Sequence, residues 1–193
     1  MNDTARVRRA RLTLILIFAM FALPLVVAWV LNFMTDFTPG ETANHGTLIK
    51  PVRPVTAAAL LDLKGAALGA NYFKGKWTLV YRQAGECGDA CHQALYVLRQ
   101  VRLAQGKNVD RVQRLLLLEG AAMPVWGGEV AEHYPGLAIA RAATATDIAA
   151  FAPAGRIYLV DPVGNLMMEY AVDAVPRGIV KDLERLLNVS YVG

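Results

Sequence analysis

Trp77-Thr78-Leu79-Val80-Tyr81-Arg82-Gln83-Ala84-Gly85-Glu86-Cys87-Gly88-Asp89-Ala90-Cys91-His92 carries the only two cysteines of the chain, four positions apart. Trp77–Tyr81 follows Lys74-Gly75-Lys76 and reads as a buried strand, and Gly85 and Gly88 break the pattern around Cys87. Leu95, Leu98 and Val101 then keep helical spacing with Cys91, while Arg99 and Arg102 turn towards solvent. The cysteines thus sit where a strand hands over to a helix. A helix N-terminus favours a thiolate, the form of sulfur that does redox chemistry and binds soft metals. Two thiols one helical turn apart close a disulfide or share one copper ion, and the spacing alone leaves both open.

Outward from this stretch the pattern alternates. Ala59–Leu63 and Ala66–Leu68 flank Lys64-Gly65 as a short hairpin, and Leu115–Leu118 is a second buried strand. Pro124–Tyr134 reads as an irregular helix, and Asp147 caps a short one running to Phe151. Arg156–Val160 and Leu166–Ala171 flank the turn Asp161-Pro162-Val163-Gly164-Asn165. Pro176 opens a last amphipathic helix with Ile179, Val180, Leu183, Leu186 and Leu187 on one side. The order is hairpin, β, α, β, α, α, β, β, α. A parallel β-α-β start, an antiparallel hairpin and a closing helix make the thioredoxin arrangement, an α/β fold with a mixed sheet flanked by helices.

Leu12–Thr35 holds no charged residue over 24 positions, and roughly 20 suffice for a helix to cross a bilayer. A secretory signal has an apolar core of only about 7–15 residues with a small-residue cleavage site, so a retained anchor is expected. Pro24 is tolerated there as a kink. Arg6, Arg8, Arg9 and Arg11 crowd one flank and Asp36 opens the other, which places the N-terminus in the cytoplasm and the remainder across an inner membrane, in the periplasm. Residues 36–193 hold 16 Lys and Arg against 15 Asp and Glu, so +3 of the net +4 belongs to the first 35 residues. The basicity is local, and no nucleic-acid surface is implied. The expected organisation is a basic N-terminus over 1–11, a transmembrane anchor over 12–35, a proline-rich linker over 36–54 and a folded domain over 55–193. His45 is read as a solvated linker residue.

This order of elements, with a cysteine pair at the tip of the first central strand, resembles the thioredoxin-like superfamily. More narrowly, it resembles the Sco family of copper-site assembly proteins for cytochrome c oxidase. That family has an N-terminal anchor, a Gly-Lys-led strand and a Cys-x-x-x-Cys-Pro motif. The matching stretches are Phe73-Lys74-Gly75-Lys76-Trp77-Thr78-Leu79-Val80-Tyr81, then Cys87-Gly88-Asp89-Ala90-Cys91-His92, and later Tyr158-Leu159-Val160-Asp161-Pro162 with Gly164. Asp89 stands where the family's Asp stands. The resemblance covers roughly residues 55–190, and only the cysteine motif is specific. It implies an assembly factor for a respiratory oxidase, whose partners are the copper-site subunit or a copper carrier. It also implies copper held by both cysteines and a histidine shortly before the late strand. Here that place is Ala152-Pro153, and no histidine follows His133. Glu119-Gly120-Ala121-Ala122 replaces the family's Asp-Pro segment. Thioredoxin-like redox enzymes carry a cis-proline facing the cysteines, and Pro153 falls in about that position.

Three readings follow. In the leading one Cys87 and Cys91 are catalytic in thiol–disulfide exchange. Cys87, on the loop, is the candidate nucleophile and Cys91 the resolving partner. A disulfide closing so short a loop is a weak staple and a better redox switch. Helical positions four apart lie about 6 Å apart, near the edge of the disulfide range, so some distortion of the first turn is expected. Glu86 and Asp89 oppose thiolate formation, which fits a mild reductant or exchanger. In the second reading Cys87 and Cys91 hold copper(I), with His92 as a metal ligand, or His133 brought near by folding. Zinc would want four ligands. In the third the chain is a structural assembly subunit. Trp126 with Gly127-Gly128 lines the same cleft or belongs to the core, and Asn188-Val189-Ser190 matches a glycosylation pattern at a length chance explains.

Overall fold

The computed structural model describes residues 3–34, 44–120, 122–142 and 144–190. The chain divides into two units, Met1–Ala43 and Asn44–Gly193.

The described residues of the first unit form one helix, α1 (Asp3–Met34), with Pro24 inside it. Its Arg6–Leu31 stretch is long and apolar enough to cross a membrane, and its apolar side chains point outward rather than into a protein core. At 1.5 Å per residue those 26 residues reach about 39 Å, more than the hydrocarbon thickness of a bilayer. The four arginines lie within the helix, so it begins well before Leu12.

The second unit is built on one seven-stranded sheet among the described residues. The strands are β1 (Thr47–Pro54), β2 (Leu60–Asp62), β3 (Trp77–Gln83), β4 (Val112–Glu119), β5 (Leu137–Ala142), β6 (Arg156–Val160) and β7 (Asn165–Ala171), in the order β1-β7-β6-β3-β4-β5-β2. The helices are α2 (Asp89–Ala104), α3 (Trp126–His133) and α4 (Pro176–Val189). β3 lies centrally, parallel to β4 and antiparallel to β6, with Trp77–Arg82 all buried. A strand covered on both faces shows a continuous apolar run rather than alternation, which is what Trp77–Tyr81 displays.

The two faces bury separate cores. Trp77, Leu79 and Tyr81 pack with Leu95, Leu98 and Val101 of α2 and with Ile179, Leu183 and Leu187 of α4. Val80, Leu115, Leu117 and Tyr158 pack on the other face with Phe73, Ile148 and Phe151. Among the described residues that second face carries no full helix. A 3-10 stretch, Ala145–Phe151, closes it, capped reciprocally by Thr144 and Asp147. Asp147 therefore acts from the third position of the turn, and Thr144 is the cap itself.

Three stretches differ from the sequence expectation. Ala66–Leu68, expected as the second arm of a hairpin, forms no strand; Ala67 makes a single bridge to Leu61, and β2 pairs with β5 instead. Thr47–Pro54, read as the end of a linker, is an edge strand paired antiparallel with β7. Its register shifts between Leu48 and Arg53, around the cis Lys50–Pro51 bond. Proline is accepted at an edge because only one side of the strand must supply hydrogen bonds. The sheet therefore starts before Val55, and residues 36–43 of the expected linker lie outside the described residues. Leu137–Ala142 forms β5 between β4 and β2, where no strand was expected.

His45 is the other correction. Asp182, 3 % exposed on α4, accepts from the backbone N–H of His45 and of Gly46, both within 2.9 Å, and from the Tyr170 hydroxyl at 3.3 Å. His45 Nδ1 lies 3.1 Å from the same carboxylate. A Cβ on Gly46 would fall 2.4 Å from the Tyr170 ring, so only glycine fits there. Burial, then the Asp182 charge and its hydrogen bond, push the Tyr170 hydroxyl far above its ordinary 10.0, and burial raises Tyr72 and Tyr158 to about 12. Groups raised in the folded state stabilise it fully below the unfolded value, and that contribution is lost as pH climbs from 10 upward, because only the unfolded chain releases those protons. Alkaline unfolding curves of the full chain should show stability falling above pH 10, and Tyr170→Phe should flatten part of that slope. An unchanged slope would remove Tyr170 from this account.

Candidate functional site

Cys87 and Cys91 are joined as a disulfide, with Cα atoms 5.1 Å apart. Cys87 lies ahead of α2 and is half-buried, whereas Cys91 is the third residue of the helix and only 1 % exposed. Because Cys87 is outside the helix, the expected distortion of the first turn is not required. The loop is held by its own side chains. Gln83 donates from Nε2 to the carbonyls of Ala84 and Glu86, at 3.0 and 2.6 Å, and accepts from the Tyr81 hydroxyl at 3.0 Å. Gly85 has φ +74°, a conformation that L side chains rarely adopt, and it makes the sharp exit from β3 possible.

The turn leading into β6 is fastened to the same end of β3. Buried Arg82 donates from Nη1 to the Phe151 carbonyl at 3.1 Å and from Nη2 to Glu119 at 2.8 Å. The Arg82 carbonyl in turn accepts from the Gly155 N–H. β3 and β6 are antiparallel with Arg82 opposite Arg156, so Pro153 lies at the end of the sheet from which Cys87 leaves. The Ala152–Pro153 bond is cis. Glu119, seen in the sequence only as a departure from the family pattern, is thus the ion-pair partner that orients Arg82.

A cleft of about 240 Å³ opens beside Cys87, lined by Glu86, His92, Trp126, Glu129, His133 and Tyr134 among others. His92 is exposed and accompanies Cys87 in this cleft, while the Cys91 side chain turns into the core. Trp126, half-buried at the start of α3, both lines the cleft and packs on the core, so the two readings of it hold together. His133 Nδ1 donates to the Glu129 carbonyl at 2.8 Å, and the Tyr134 hydroxyl donates to the His92 carbonyl at 3.3 Å, tying α3 to α2. Tyr134 and Glu129 were not singled out in the sequence, since only the folding of α3 onto α2 brings them here.

For copper the donor set falls short. Among the described residues no group of three or more His, Cys, Asp or Glu side chains is placed to hold a metal ion, and His92 and His133 do not complete one with the sulfurs. The residues present do not fit the three-ligand copper site implied by the resemblance.

Residues 77–190 match the family described as transmembrane-like, thioredoxin-like, C-terminal domain. The chain belongs to this family. No curated protein matches it in sequence. Among solved structures it is similar to Bradyrhizobium japonicum ScoI with copper bound, at 23 % identity over 65 % of this chain and 94 % of that one, with a TM-score of 0.51. Yeast Sco1 with copper bound is similar at 15 % identity over 78 % and 96 %, TM-score 0.57. A thiol:disulfide interchange protein from Bacteroides sp. is similar at 20 % identity over 72 % and 91 %, TM-score 0.52. At these identities the likeness is one of fold, and it confirms the thioredoxin-like fold with Sco proteins among its structural neighbours.

Proposed function

We propose that this thioredoxin-like chain is a membrane-anchored thiol–disulfide exchange protein that works on the cysteines of a respiratory oxidase copper site or of its copper carrier. The observation that carries the reading is the disulfide of a half-buried Cys87 and a buried Cys91, opening onto a cleft. In the reduced form the Cys87 thiolate attacks a client disulfide. A bond forms from Cys87 Sγ to one client sulfur, and the other client sulfur leaves as a thiolate. The Cys91 thiolate then attacks Cys87 Sγ, releasing the first client sulfur and closing the Cys87–Cys91 disulfide. Two electrons pass to the client, whose two sulfurs take up two protons. An external dithiol reductant resets the pair. In this reading helix α1 is the anchor, and its arginine-rich start supports an N-terminus in the cytoplasm with the cysteines on the periplasmic side.

Full-length protein in detergent, equilibrated against thiol–disulfide buffers, tests this. Two-electron interconversion of Cys87 and Cys91 is expected somewhere between about −120 and −300 mV, read by thiol alkylation. Cysteines that stay in one state throughout would end the proposal. Titration of the reduced chain with copper(I) is the second arm. One tightly bound ion, lost in Cys87→Ser, would replace exchange by metal carriage.

A further inference from the structure

The cleft beside Cys87 has a chemical character that the exchange reaction itself does not demand. Its lining includes Glu86 and Glu129, both exposed, with His92 and His133, and none of its lining residues is lysine or arginine. Asp89, also exposed, stands two residues beyond Cys87 and adds a third negative charge close by. The apolar part comes from Trp126, Val130 and Tyr134. At about 240 Å³ the cleft is smaller than the roughly 300–1,000 Å³ that hold a drug-sized ligand or cofactor. It suits a single side chain from a polypeptide lying across the disulfide.

A long cationic side chain matches both parts. Its aliphatic stem packs against Trp126 and Tyr134, and aromatic faces attract cations. Its charged head meets Glu86 and Glu129. An anionic neighbour would meet two glutamates with no lysine or arginine among the lining residues to offset them. We infer that the client segment recognised at this cleft presents a lysine or arginine next to its reactive cysteine. This rests on the exchange reading above and deepens it: the cleft selects cationic cysteine peptides. In the oxidised chain the peptide thiolate attacks Cys87 Sγ, forming the mixed disulfide, and Cys91 leaves as a thiolate that takes up a proton.

The experiment uses the full-length oxidised chain in detergent and three synthetic peptides, each with one cysteine flanked by lysine, by serine or by glutamate. A charged neighbour alters a cysteine's own reactivity, so each rate is divided by that peptide's rate with hydroxyethyl disulfide, a neutral small disulfide. The normalised lysine-to-glutamate ratio is expected to be roughly tenfold or more at low ionic strength and to shrink in high salt. It should collapse towards one in Glu86→Gln/Glu129→Gln, while Glu184→Gln, at an exposed α4 position outside the cleft lining, keeps it. Equal normalised rates in the wild-type chain, or a ratio that survives the double substitution, overturn the inference. Dithiothreitol, which is uncharged, separates the two levels. If it fails to reduce the wild-type disulfide, the exchange reading itself fails. If it succeeds while the peptides show no charge preference, only the cationic client is lost.

Discussion

Cys91→Ser in the full-length chain is expected to abolish turnover and to trap client proteins on Cys87 as persistent mixed disulfides. Cys87→Ser should abolish turnover and trap almost nothing. The asymmetry follows from where the two sulfurs sit. Cys87 is half-buried on a braced loop and lines the cleft, while Cys91 is 1 % exposed and packed with the α2 core. A thiolate that attacks must reach an incoming sulfur, and access decides which cysteine does so. With serine at 91 no second thiol remains to release the captured client. Non-reducing electrophoresis after acid quenching should show captured species at least roughly tenfold more abundant in Cys91→Ser than in Cys87→Ser. Neither variant should unfold, because cross-linking so short a loop contributes only about 2 kcal/mol. Equal trapping by both variants would overturn the assignment of roles, and normal oxidase assembly with both cysteines replaced would favour the structural-subunit reading.

The legible parts of this chain were those written in local pattern. β3 announces itself as a mostly apolar run, Trp77–Tyr81 with only Thr78 polar, α2 as the spacing Cys91, Leu95, Leu98 and Val101, and the β6–β7 hairpin as turn chemistry around Gly164. The cysteine pair was legible for the same reason, since strand, glycine break and helix are contiguous. What escaped depends on partners far away in the chain. β5 reads Leu-Ala-Ile-Ala-Arg-Ala, and alanine has little strand preference. It is a strand because β4 and β2 pair with it on both sides. β1 contains Pro51 and Pro54 and looks like a linker until β7 pairs with it. Pairing, not propensity, decides both. The cleft shows the same division. Cys87 and His92 are neighbours in sequence, whereas Glu129, His133 and Tyr134 arrive with α3.

His45 and Asp182 are 137 residues apart, and the buried carboxylate is what holds the segment before β1 to α4. Asp182→Ala should lower the stability of the full chain by about 2–4 kcal/mol. The carboxylate accepts from two backbone N–H groups and the Tyr170 hydroxyl, and it is 3 % exposed. Without it, the buried Tyr170 hydroxyl keeps only the weak acceptor Met168 Sδ at 3.7 Å, and residues 44–46 must leave the surface of α4 to hydrate their N–H groups. That release limits the loss, because hydrated groups carry no further penalty. Asp182→Asn should cost less, since all three donors converge on Oδ2, where an amide oxygen still accepts them, and the NH₂ takes the Oδ1 place beside His45 Nδ1. His45→Ala should cost under about 1 kcal/mol, because the imidazole is half exposed and such pairs are screened by solvent. Gly178→Ala tests the same contact from the other side: its Cβ would stand 2.8 Å from His45 Cβ and push the segment away with the carboxylate intact. Thermal unfolding should place Asp182→Ala roughly 5–15 °C below wild type, with Asp182→Asn between the two and His45→Ala near wild type. If His45→Ala matched Asp182→Ala, the imidazole rather than the backbone donors would be what the buried carboxylate holds.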